Sequence, residues 1–339
     1  MKIITKTYFL PIKQVFLLVL LLLLSVEQVF AQLKKKVPTL SPDKHITQFS
    51  IDVWGTGEGL PSRSLSYLEQ TDDGYLWVSS FQGLFRFDGV QFENFNAGTD
   101  SGGLHANSIK DIFEKEDGTL CISTADKGLF TYKNGKFKHV GELDIAVQTT
   151  FFDTQNHAWV GTKSYGVYEL NDSTFTPYTK IPELKNIRIS DIVKDREDNI
   201  WFATEGNGLI KLDKLEKFTV FTTKEGLLSN KVGTVFQDSQ GKIWIGTSEG
   251  LCFLEKGEIK TLQGTESHAI TRVVEDYYGS LWMSSETGIL RFNIKTKAIE
   301  ILTEKNGLPH KNIQDILLDK EGNIWFAMYR AGLGRIKEG

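Results

Sequence analysis

Asp238-Ser-Gln-Gly-Lys-Ile-Trp-Ile-Gly-Thr-Ser-Glu-Gly-Leu251 is the stretch that decides the fold, because its pattern occurs seven times along the chain. The pattern is an acid, a turn residue, an apolar residue before Trp, small residues, and Gly before an aliphatic residue. Units of about 40 residues with strand-like content are typical of a β-propeller, in which each unit forms one blade. The Trp position recurs every 38 to 44 residues, at Trp77, Cys121, Trp159, Trp201, Trp244, Trp282 and Trp325.

Each unit contains four short apolar segments. Around the quoted stretch they are residues 232–236, 242–247, 250–254 and 258–262, each rich in β-branched or aromatic residues and bounded by Gly, Asp or Ser. Such segments predict four antiparallel strands. The predicted fold is therefore all-β: a seven-bladed β-propeller of four-stranded antiparallel blades over residues 46–339.

The acid and the Gly of the pattern indicate a tight hairpin between the first two strands. A short carboxylate accepts hydrogen bonds from the N–H groups of a turn, and Gly tolerates a positive φ. We therefore interpret the recurring acids as turn residues and not as a catalytic series. We expect the Trp residues to pack between neighbouring blades; a platform for sugar binding is the alternative. The acid position holds Thr71, Lys115, Asp153, Asp195, Asp238, Asp276 and Asp319, with Asp72 and Glu116 following the first two.

The two ends of the repeat array predict how the ring closes. The last repeat, which ends at Gly339, contains three strand segments and lacks an outer fourth one. An additional strand segment, residues 46–54, precedes the first repeat. We expect this N-terminal strand to complete blade seven, which removes the open sheet edges.

Residues 1–31 have the pattern of a signal peptide. Lys2, Lys6 and Lys13 precede ten apolar residues at positions 15–24, and Val-Phe-Ala follows at positions 29–31 as a cleavage site. Ten apolar residues are fewer than the roughly 20 that span a bilayer, although an uncleaved, membrane-anchoring start is the alternative. We expect a periplasmic or secreted protein, with residues 32–45 as a linker.

Composition argues against nucleic acid as a partner. Removing residues 1–31, which carry three Lys and one Glu, changes the formal charge from −4 to −6, and an acidic surface does not attract nucleic acid. Cys121 and Cys252 occur in repeats two and five, which are not adjacent. We interpret both as small buried apolar residues without a disulfide.

The quoted stretch resembles the two-component regulator propeller repeat. Residues 54–62 and 73–89 also resemble the start of the periplasmic sensor of hybrid two-component systems. The resemblance implies a non-catalytic module that senses a ligand or binds a partner outside the cytoplasmic membrane, in many relatives for carbohydrate degradation products. Such sensors continue into a second propeller, a β-sandwich, a membrane helix and a histidine kinase. Since none of these is in this sequence, we expect a free-standing exported propeller, or an abbreviated relative that needs a membrane histidine kinase or another envelope protein.

The candidate ligand site lies on one face of the propeller. Strand alternation places the loops between second and third strands on the same face as the crossings between blades, and only these segments vary chemically between repeats. Aromatic, charged and amide groups together suit a small molecule or an oligosaccharide; ordinary exposed loop residues are the alternative. The candidate residues are Arg63, Phe81, Gln82, His105, Lys127, Tyr165, Arg188, Glu205, Asn207, Lys231, Glu249, His310, Tyr329 and Arg330.

Two alternative functions remain at this stage. Streptogramin lyases are seven-bladed propellers that use a His base and a divalent metal, and His105, His268 and His310 fall in crossings on the candidate face. These histidines lie in different repeats and lack His-x-His or His-Glu-x-x-His spacing, so we expect no enzyme, no catalytic residue, no metal site and no cofactor. The second alternative is a scaffold that only docks to a protein.

Overall fold

The computed structural model describes residues 40–95, 104, 106, 108–141, 145–152, 157–171 and 173–339. These residues form seven antiparallel sheets of four strands each. The fold is therefore a seven-bladed β-propeller, and the predicted fold class is confirmed. The signal peptide and most of the linker lie outside the described residues and stay predictions.

The strands of the described residues are β1 (Ser50–Trp54), β2 (Leu65–Gln70), β3 (Leu76–Ser80), β4 (Gly83–Phe87), β5 (Phe92–Asn94), β6 (Ile109–Glu114), β7 (Leu120–Thr124), β8 (Leu129–Lys133), β9 (Lys136–Val140), β10 (Val147–Phe152), β11 (Ala158–Thr162), β12 (Val167–Asn171), β13 (Thr174–Pro177), β14 (Ile189–Lys194), β15 (Ile200–Thr204), β16 (Leu209–Leu212), β17 (Phe218–Phe221), β18 (Val232–Gln237), β19 (Ile243–Thr247), β20 (Gly250–Glu255), β21 (Glu258–Thr261), β22 (Ile270–Glu275), β23 (Leu281–Ser285), β24 (Gly288–Phe292), β25 (Ile299–Leu302), β26 (Ile313–Leu318), β27 (Ile324–Met328) and β28 (Gly332–Lys337). Short 3-10 helices span Ile46–Gln48, Thr56–Glu58, Pro182–Leu184, Thr223–Glu225 and Glu304–Asn306. None of the helices found in these residues is long and apolar enough to cross a membrane.

The blades follow the chain order. Blades one to six are β2–β5, β6–β9, β10–β13, β14–β17, β18–β21 and β22–β25, and blade seven combines β26, β27, β28 and β1. The first strand of each blade contacts the first strand of the next, and β26 contacts β2. The seven first strands therefore surround a central channel, and the fourth strands form the outer edge.

Closure of the ring by the N-terminal strand is confirmed. Strand β1 runs antiparallel to β28, with Ser50 opposite Lys337 and Trp54 opposite Leu333. Arg335 binds Asp52 across the two strands, with Nη2 2.5 Å from Oδ2. Two chain ends that are almost 300 residues apart thus form one sheet.

The segment 40–45, which the sequence analysis assigns to the linker, packs against the propeller. Leu40 is buried in the apolar core beside blades six and seven. The guanidinium of Arg291, on β24, donates hydrogen bonds to the carbonyl oxygens of Ser41 and Lys44 at 3.2 and 3.0 Å. These contacts attach the start of the described chain to blade six.

The Trp residues pack between blades, as predicted. Trp159 of blade three, for example, packs with Ile189 and Ile192 of blade four, which buries the facing sides of two twisted sheets. Their indole N–H groups also explain the acid of the repeat. Asp195 accepts a hydrogen bond from Trp201 Nε1 at 2.7 Å with one oxygen and from the N–H of Asn199 at 2.8 Å with the other.

Similar indole contacts hold Asp238, Asp276 and Asp319, the acids of blades five to seven. The turn function of these acids is therefore confirmed, with the indole bond as an addition that the sequence analysis missed. In blades one and two the turn N–H groups bind Asp73 and Asp117, one residue beyond Asp72 and Glu116. Asp153 lies outside the described residues. Cys121 and Cys252 are buried and form no disulfide, as predicted.

Candidate functional site

The loops between second and third strands are held by a hydroxyl at the end of the second strand. In blade four, Thr204 Oγ1 donates to the carbonyl oxygen of Gly208 at 2.7 Å and accepts from the N–H of Asn207 at 3.0 Å. Gly208 has φ 78°, and a Cβ there would lie 2.1 Å from the carbonyl oxygen of Phe221. Only Gly fits this position, so the Thr and Gly of the repeat produce rigid loops.

These loops meet the crossings on the same face, as strand alternation predicts. The N–H of Gly332 donates to the carbonyl oxygen of Arg63 at 2.9 Å, and the N–H of Glu205 donates to that of Arg188 at 3.0 Å. Backbone hydrogen bonds therefore join both kinds of segment into one surface, which we call the loop rim. Side chains on the loop rim are held by a rigid scaffold, which is where binding residues commonly lie.

Five of the predicted site residues line one cavity at the junction of blades seven and one. The cavity has a volume of about 630 Å³ and is lined by Arg63, Phe81, Gln82, Tyr329 and Arg330. Arg63 comes from the crossing that enters blade one, whereas the others come from second-to-third-strand loops. The volume lies within the range of about 300–1,000 Å³ that is usual for ligand pockets.

Cations lie beside the aromatic rings of this cavity. The guanidinium carbon of Arg330 is 4.9 Å from the centre of the Tyr329 ring, and Lys110 Nζ is 4.7 Å from that of Phe81. Burial lowers the pKa of Lys110, and the charges of Arg188 and Lys163 lower it further. The loop rim near Phe81 is therefore positively charged and combines aromatic faces with hydrogen-bond donors.

A second group of predicted residues lies at blades four and five. Arg188 Nη1 is 3.4 Å from Glu205 Oε2, and Glu205 forms a β-bridge with Lys231. The Asn207 side chain donates to the carbonyl oxygen of Glu183 at 2.7 Å, so it holds the loop against the preceding crossing. In this group the Arg188 and Glu205 side chains bind each other, whereas Lys231 and Asn207 are held through contacts with backbone groups.

The remaining predicted residues that the structure describes are not among the residues that line the cavity at the junction of blades seven and one. Lys127, Tyr165 and Glu249 are exposed in the loops of blades two, three and five. His310 Nδ1 accepts a hydrogen bond from the N–H of Asn312 at 3.1 Å. His105 lies outside the described residues.

The structure describes two of the three histidines on which the enzyme alternative rests, His268 and His310. His268 Nδ1 lies 2.6 Å from Thr287 Oγ1 in blade six, whereas His310 precedes blade seven. Within the part of the chain that the structure describes, no group of three or more His, Cys, Asp or Glu side chains is arranged to hold a metal ion.

A charged cluster in the central channel was missed by the sequence analysis. Its members are Tyr67, Asp111, Asp191, Arg272 and Asp315, all on first strands and electrostatically coupled. Six of the first strands, including those of Asp111, Asp191, Arg272 and Asp315, have a β-bulge immediately before the third residue. The available signal was a charged residue at this third position, between aliphatic residues at the first and fourth positions of the strand.

The channel carboxylates join neighbouring blades. Asp191 Oδ2 accepts hydrogen bonds from Thr234 Oγ1 and the N–H of Val235 at 2.9 and 3.0 Å. Asp315 Oδ2 accepts from the N–H of Leu68 at 2.8 Å. Each carboxylate thus bonds the first strand of the next blade, so these buried acids hold the ring together.

One guanidinium cannot neutralise three carboxylates. Burial raises the pKa of Asp111 to about 7 and that of Asp315 to about 6, and in both cases the charge of Arg272 opposes the rise. Burial on its own would lower the pKa of Arg272, but the carboxylates around it raise it. Part of the cluster therefore holds protons near neutral pH.

The cluster makes stability depend on pH. The pKa of Asp111 is higher in the folded state than its ordinary value of 3.8. The folded protein therefore binds this proton more tightly, and the contribution of Asp111 to the free energy of unfolding falls as pH rises from about 4 to about 7. We expect Asp111→Asn to flatten this slope by up to about 1.4 kcal/mol per pH unit, measured by urea unfolding between about pH 5 and about pH 8.

Glu258→Gln is the matched control, because Glu258 is exposed on the outer strand β21. It should leave the slope unchanged. An Asp111→Asn protein with the pH dependence of the native protein would show that Asp111 is ionised throughout this range.

Seven four-stranded blades around a charged channel, with variable side chains on one rim, define the class of protein as a seven-bladed β-propeller. Residues 183–206, 226–249 and 307–330 match the family model described as two component regulator propeller. These three segments match the repeat of that family, and the resemblance stated from the sequence is confirmed.

Three known proteins show how far the similarity extends. Histidine kinase P4 of Formosa agariphila is 26% identical over 299 residues, which cover 66% of this chain and 22% of the kinase. An extracellular domain assigned to a hybrid two component system of B. thetaiotaomicron superimposes with a TM-score of 0.76 at 21% identity, over 86% of this chain and 42% of that one. A streptogramin B lyase superimposes with a TM-score of 0.70 at 15% identity, over 88% and 100%. At these identities the two solved structures share the fold alone, and this chain spans less than half of the histidine kinase and of the extracellular domain.

Proposed function

We propose that this protein is an exported, non-catalytic propeller that senses a carbohydrate-like ligand in the cavity at the junction of blades seven and one. The observation that carries the proposal is the composition of this cavity, in which two aromatic rings, one amide and two guanidinium groups surround a space of about 630 Å³. Aromatic faces stack on the apolar face of a sugar ring, while amide and guanidinium groups bond its oxygens.

Electrostatics favour a ligand rich in acceptor oxygens. Arg63 and Arg330 line the cavity, and Lys110 lies over the Phe81 ring at its edge. All three are donors only, so hydroxyl, carboxylate or sulfate oxygens are the groups that they would bind. Phe81 is 50% exposed, which leaves a ring surface available to the ligand.

The relatives support a function in signalling. One sequence relative is named a histidine kinase, and three segments of this chain match the two component regulator propeller model. We propose that a membrane histidine kinase, or another envelope protein, is the partner that receives the signal. The likeness to streptogramin lyase is a likeness of fold, and no described cluster of side chains adds a specific reason to prefer catalysis.

A thermal-shift screen of residues 32–339 against an oligosaccharide panel, with and without divalent metal, tests the proposal. A ligand that binds only the folded state raises the melting temperature by mass action. We expect Tyr329→Ala to weaken binding of a sugar identified in the screen by about two- to twelvefold, since a stacked aromatic contact contributes about 0.5–1.5 kcal/mol. Isothermal titration calorimetry would measure the change.

Tyr165→Ala is the matched control, because Tyr165 is an exposed Tyr on the same rim in blade three. If Tyr329→Ala alone weakens binding, the ligand occupies the cavity; if both variants do, it covers the whole rim. A sugar that binds both variants as tightly as the native protein would contradict a rim site. If no sugar raises the melting temperature, the docking scaffold is favoured. If only the metal raises it, the enzyme is favoured.

A further inference from the structure

A second groove lies on the opposite face of the propeller, between the hairpins of blades five and six. Its volume is about 780 Å³, and its walls include Trp244, Phe253 and Phe292. The ring centres of Trp244 and Phe253 are 5.1 Å apart, and those of Trp244 and Phe292 are 6.4 Å apart. The groove therefore offers a set of aromatic surfaces remote from the loop rim.

The hairpin tip beside this groove departs from the repeat. Two residues separate the acid position from the turn residue in each repeat, and in six repeats both are polar or charged. Blade six instead has Tyr277 and Tyr278, which are 57% and 50% exposed. Two exposed aromatic residues at one tip are not needed for the turn, since the other tips that the structure describes form without them.

The wall of the groove departs from the repeat at a second position. The residue opposite the Trp position on the third strand is apolar in blade five alone, where it is Phe253. In four blades it is a cation that lies within 6 Å of the Trp ring, at distances of 5.0 to 5.6 Å. The seven residues at this position are Arg86, Thr131, Glu169, Lys211, Phe253, Arg291 and Arg335. Both departures thus occur in the same groove and make it more aromatic.

The acids in the groove are already bound by the protein. Glu275 accepts hydrogen bonds from the N–H and the hydroxyl of Ser239 at 2.6 and 2.8 Å. Asp238 and Asp276 each bind an indole N–H and turn N–H groups. The carboxylates of the groove therefore have donors of their own and leave little capacity for a ligand.

The ammonium groups of the groove are more available. Lys242 Nζ lies 4.6 Å from the centre of the Phe253 ring, with its nearest carboxylate, that of Glu255, at 3.9 Å. Lys297 Nζ lies 5.8 Å from the centre of the Phe292 ring, and among the described residues no carboxylate is within ion-pair distance of it. Two cations at the edge of an aromatic groove are complementary to an anion attached to a flat apolar body.

We infer that the groove between blades five and six is a binding site for a small aromatic ligand that carries a carboxylate. The aromatic body would pack against Phe253, Phe292 and Tyr278, and the carboxylate would bind Lys297 and Lys242. This inference does not depend on the function proposed for the loop rim, because the two sites lie on opposite faces.

The test uses indole-3-acetate and its neutral amide, indole-3-acetamide, as a pair of probes of the same shape. Saturation-transfer NMR and calorimetric titration of residues 32–339 would measure binding. We expect the acid to bind at least about fivefold more tightly than the amide. Tyr278→Ala and Lys297→Gln should each weaken binding of the acid by a similar factor. Glu321→Ala, at the equivalent tip position of blade seven, and Tyr329→Ala on the loop rim should leave it unchanged.

Each other outcome overturns the inference. Equal affinities for the acid and the amide would show that the lysines do not bind the carboxylate. Unchanged binding to Tyr278→Ala would place the probe elsewhere, and loss of binding in Tyr329→Ala would place it on the loop rim. No binding of either probe at millimolar concentration to protein that unfolds at the native temperature would exclude the site for this ligand class.

Discussion

A chain that begins at Gly55 is expected to lose cooperative folding or to melt at least about 10 °C below the chain that begins at Leu40. The deletion removes strand β1 and the buried side chains of Leu40, Ile46 and Phe49. Burial of one such side chain contributes about 1.5–3 kcal/mol, so the three contribute roughly 5–9 kcal/mol. This is comparable to the whole stability of a typical domain, about 5–15 kcal/mol.

The deletion also leaves β28 without a partner along its outer edge, because β1 pairs with all of its backbone from Leu333 to Lys337. Thermal unfolding followed by circular dichroism measures the effect. A peptide of residues 40–54, added to the shortened chain, should raise its melting temperature by restoring the missing strand. Equal melting temperatures for the two chains would contradict a closing role for β1.

The second large effect is expected for Arg291→Met, which should lower the free energy of unfolding by about 3–5 kcal/mol. The Arg291 side chain is fully buried, with its guanidinium carbon 5.3 Å from the centre of the Phe49 ring and 5.0 Å from that of Trp282. Its Nη1 lies 3.6 Å from Glu300 Oε2. Methionine has a similar length, but it removes the cation beside the buried Glu300 carboxylate, which keeps the neutral donors of Ile46 and Asn293. It also removes the donors to the carbonyl groups of Ser41 and Lys44.

Lys295→Met is the matched control, since Lys295 forms an ion pair with Asp43 of the same N-terminal segment. Both side chains of that pair are more than half exposed, and an exposed pair contributes at most about 1 kcal/mol. Urea unfolding measures both variants. Combining Arg291→Met with Glu300→Gln should cost less than the sum of the single changes, because the two side chains interact. Similar losses for Arg291→Met and Lys295→Met would show that burial does not decide the effect.

The candidate site could be predicted from sequence only in part. Strand alternation correctly placed Arg63, Phe81 and Tyr329 on one face, because the direction of each strand follows from its position in the repeat. Which of the fourteen candidates share a cavity could not be predicted. That depends on the neighbours across the junction of blades seven and one, whose residues come from opposite ends of the chain.

The channel cluster, too, could be predicted from the sequence only in part. Asp191 and Asp315 occur on first strands whose apolar pattern was recognised, yet their function was not. A polar residue on a strand is compatible with an exposed, a channel-facing or an inter-blade position, and local periodicity does not distinguish these. The bulges near the start of the first strands and the packing of seven strands around one axis make them channel residues.

The sequence by itself determined the number of blades, the four strands of each, the Trp layers and the closure by the N-terminal strand. These features follow from short-range patterns repeated seven times, so that each copy supports the others. Only the tertiary structure decided the cavity on the loop rim, the groove between blades five and six and the network around Arg272. These depend on contacts between residues far apart in the chain, such as the N–H of Leu68 and Asp315, which are separated by 247 residues. The ring brings such residues together because every blade packs on two neighbours, and closure makes the first blade adjacent to the last.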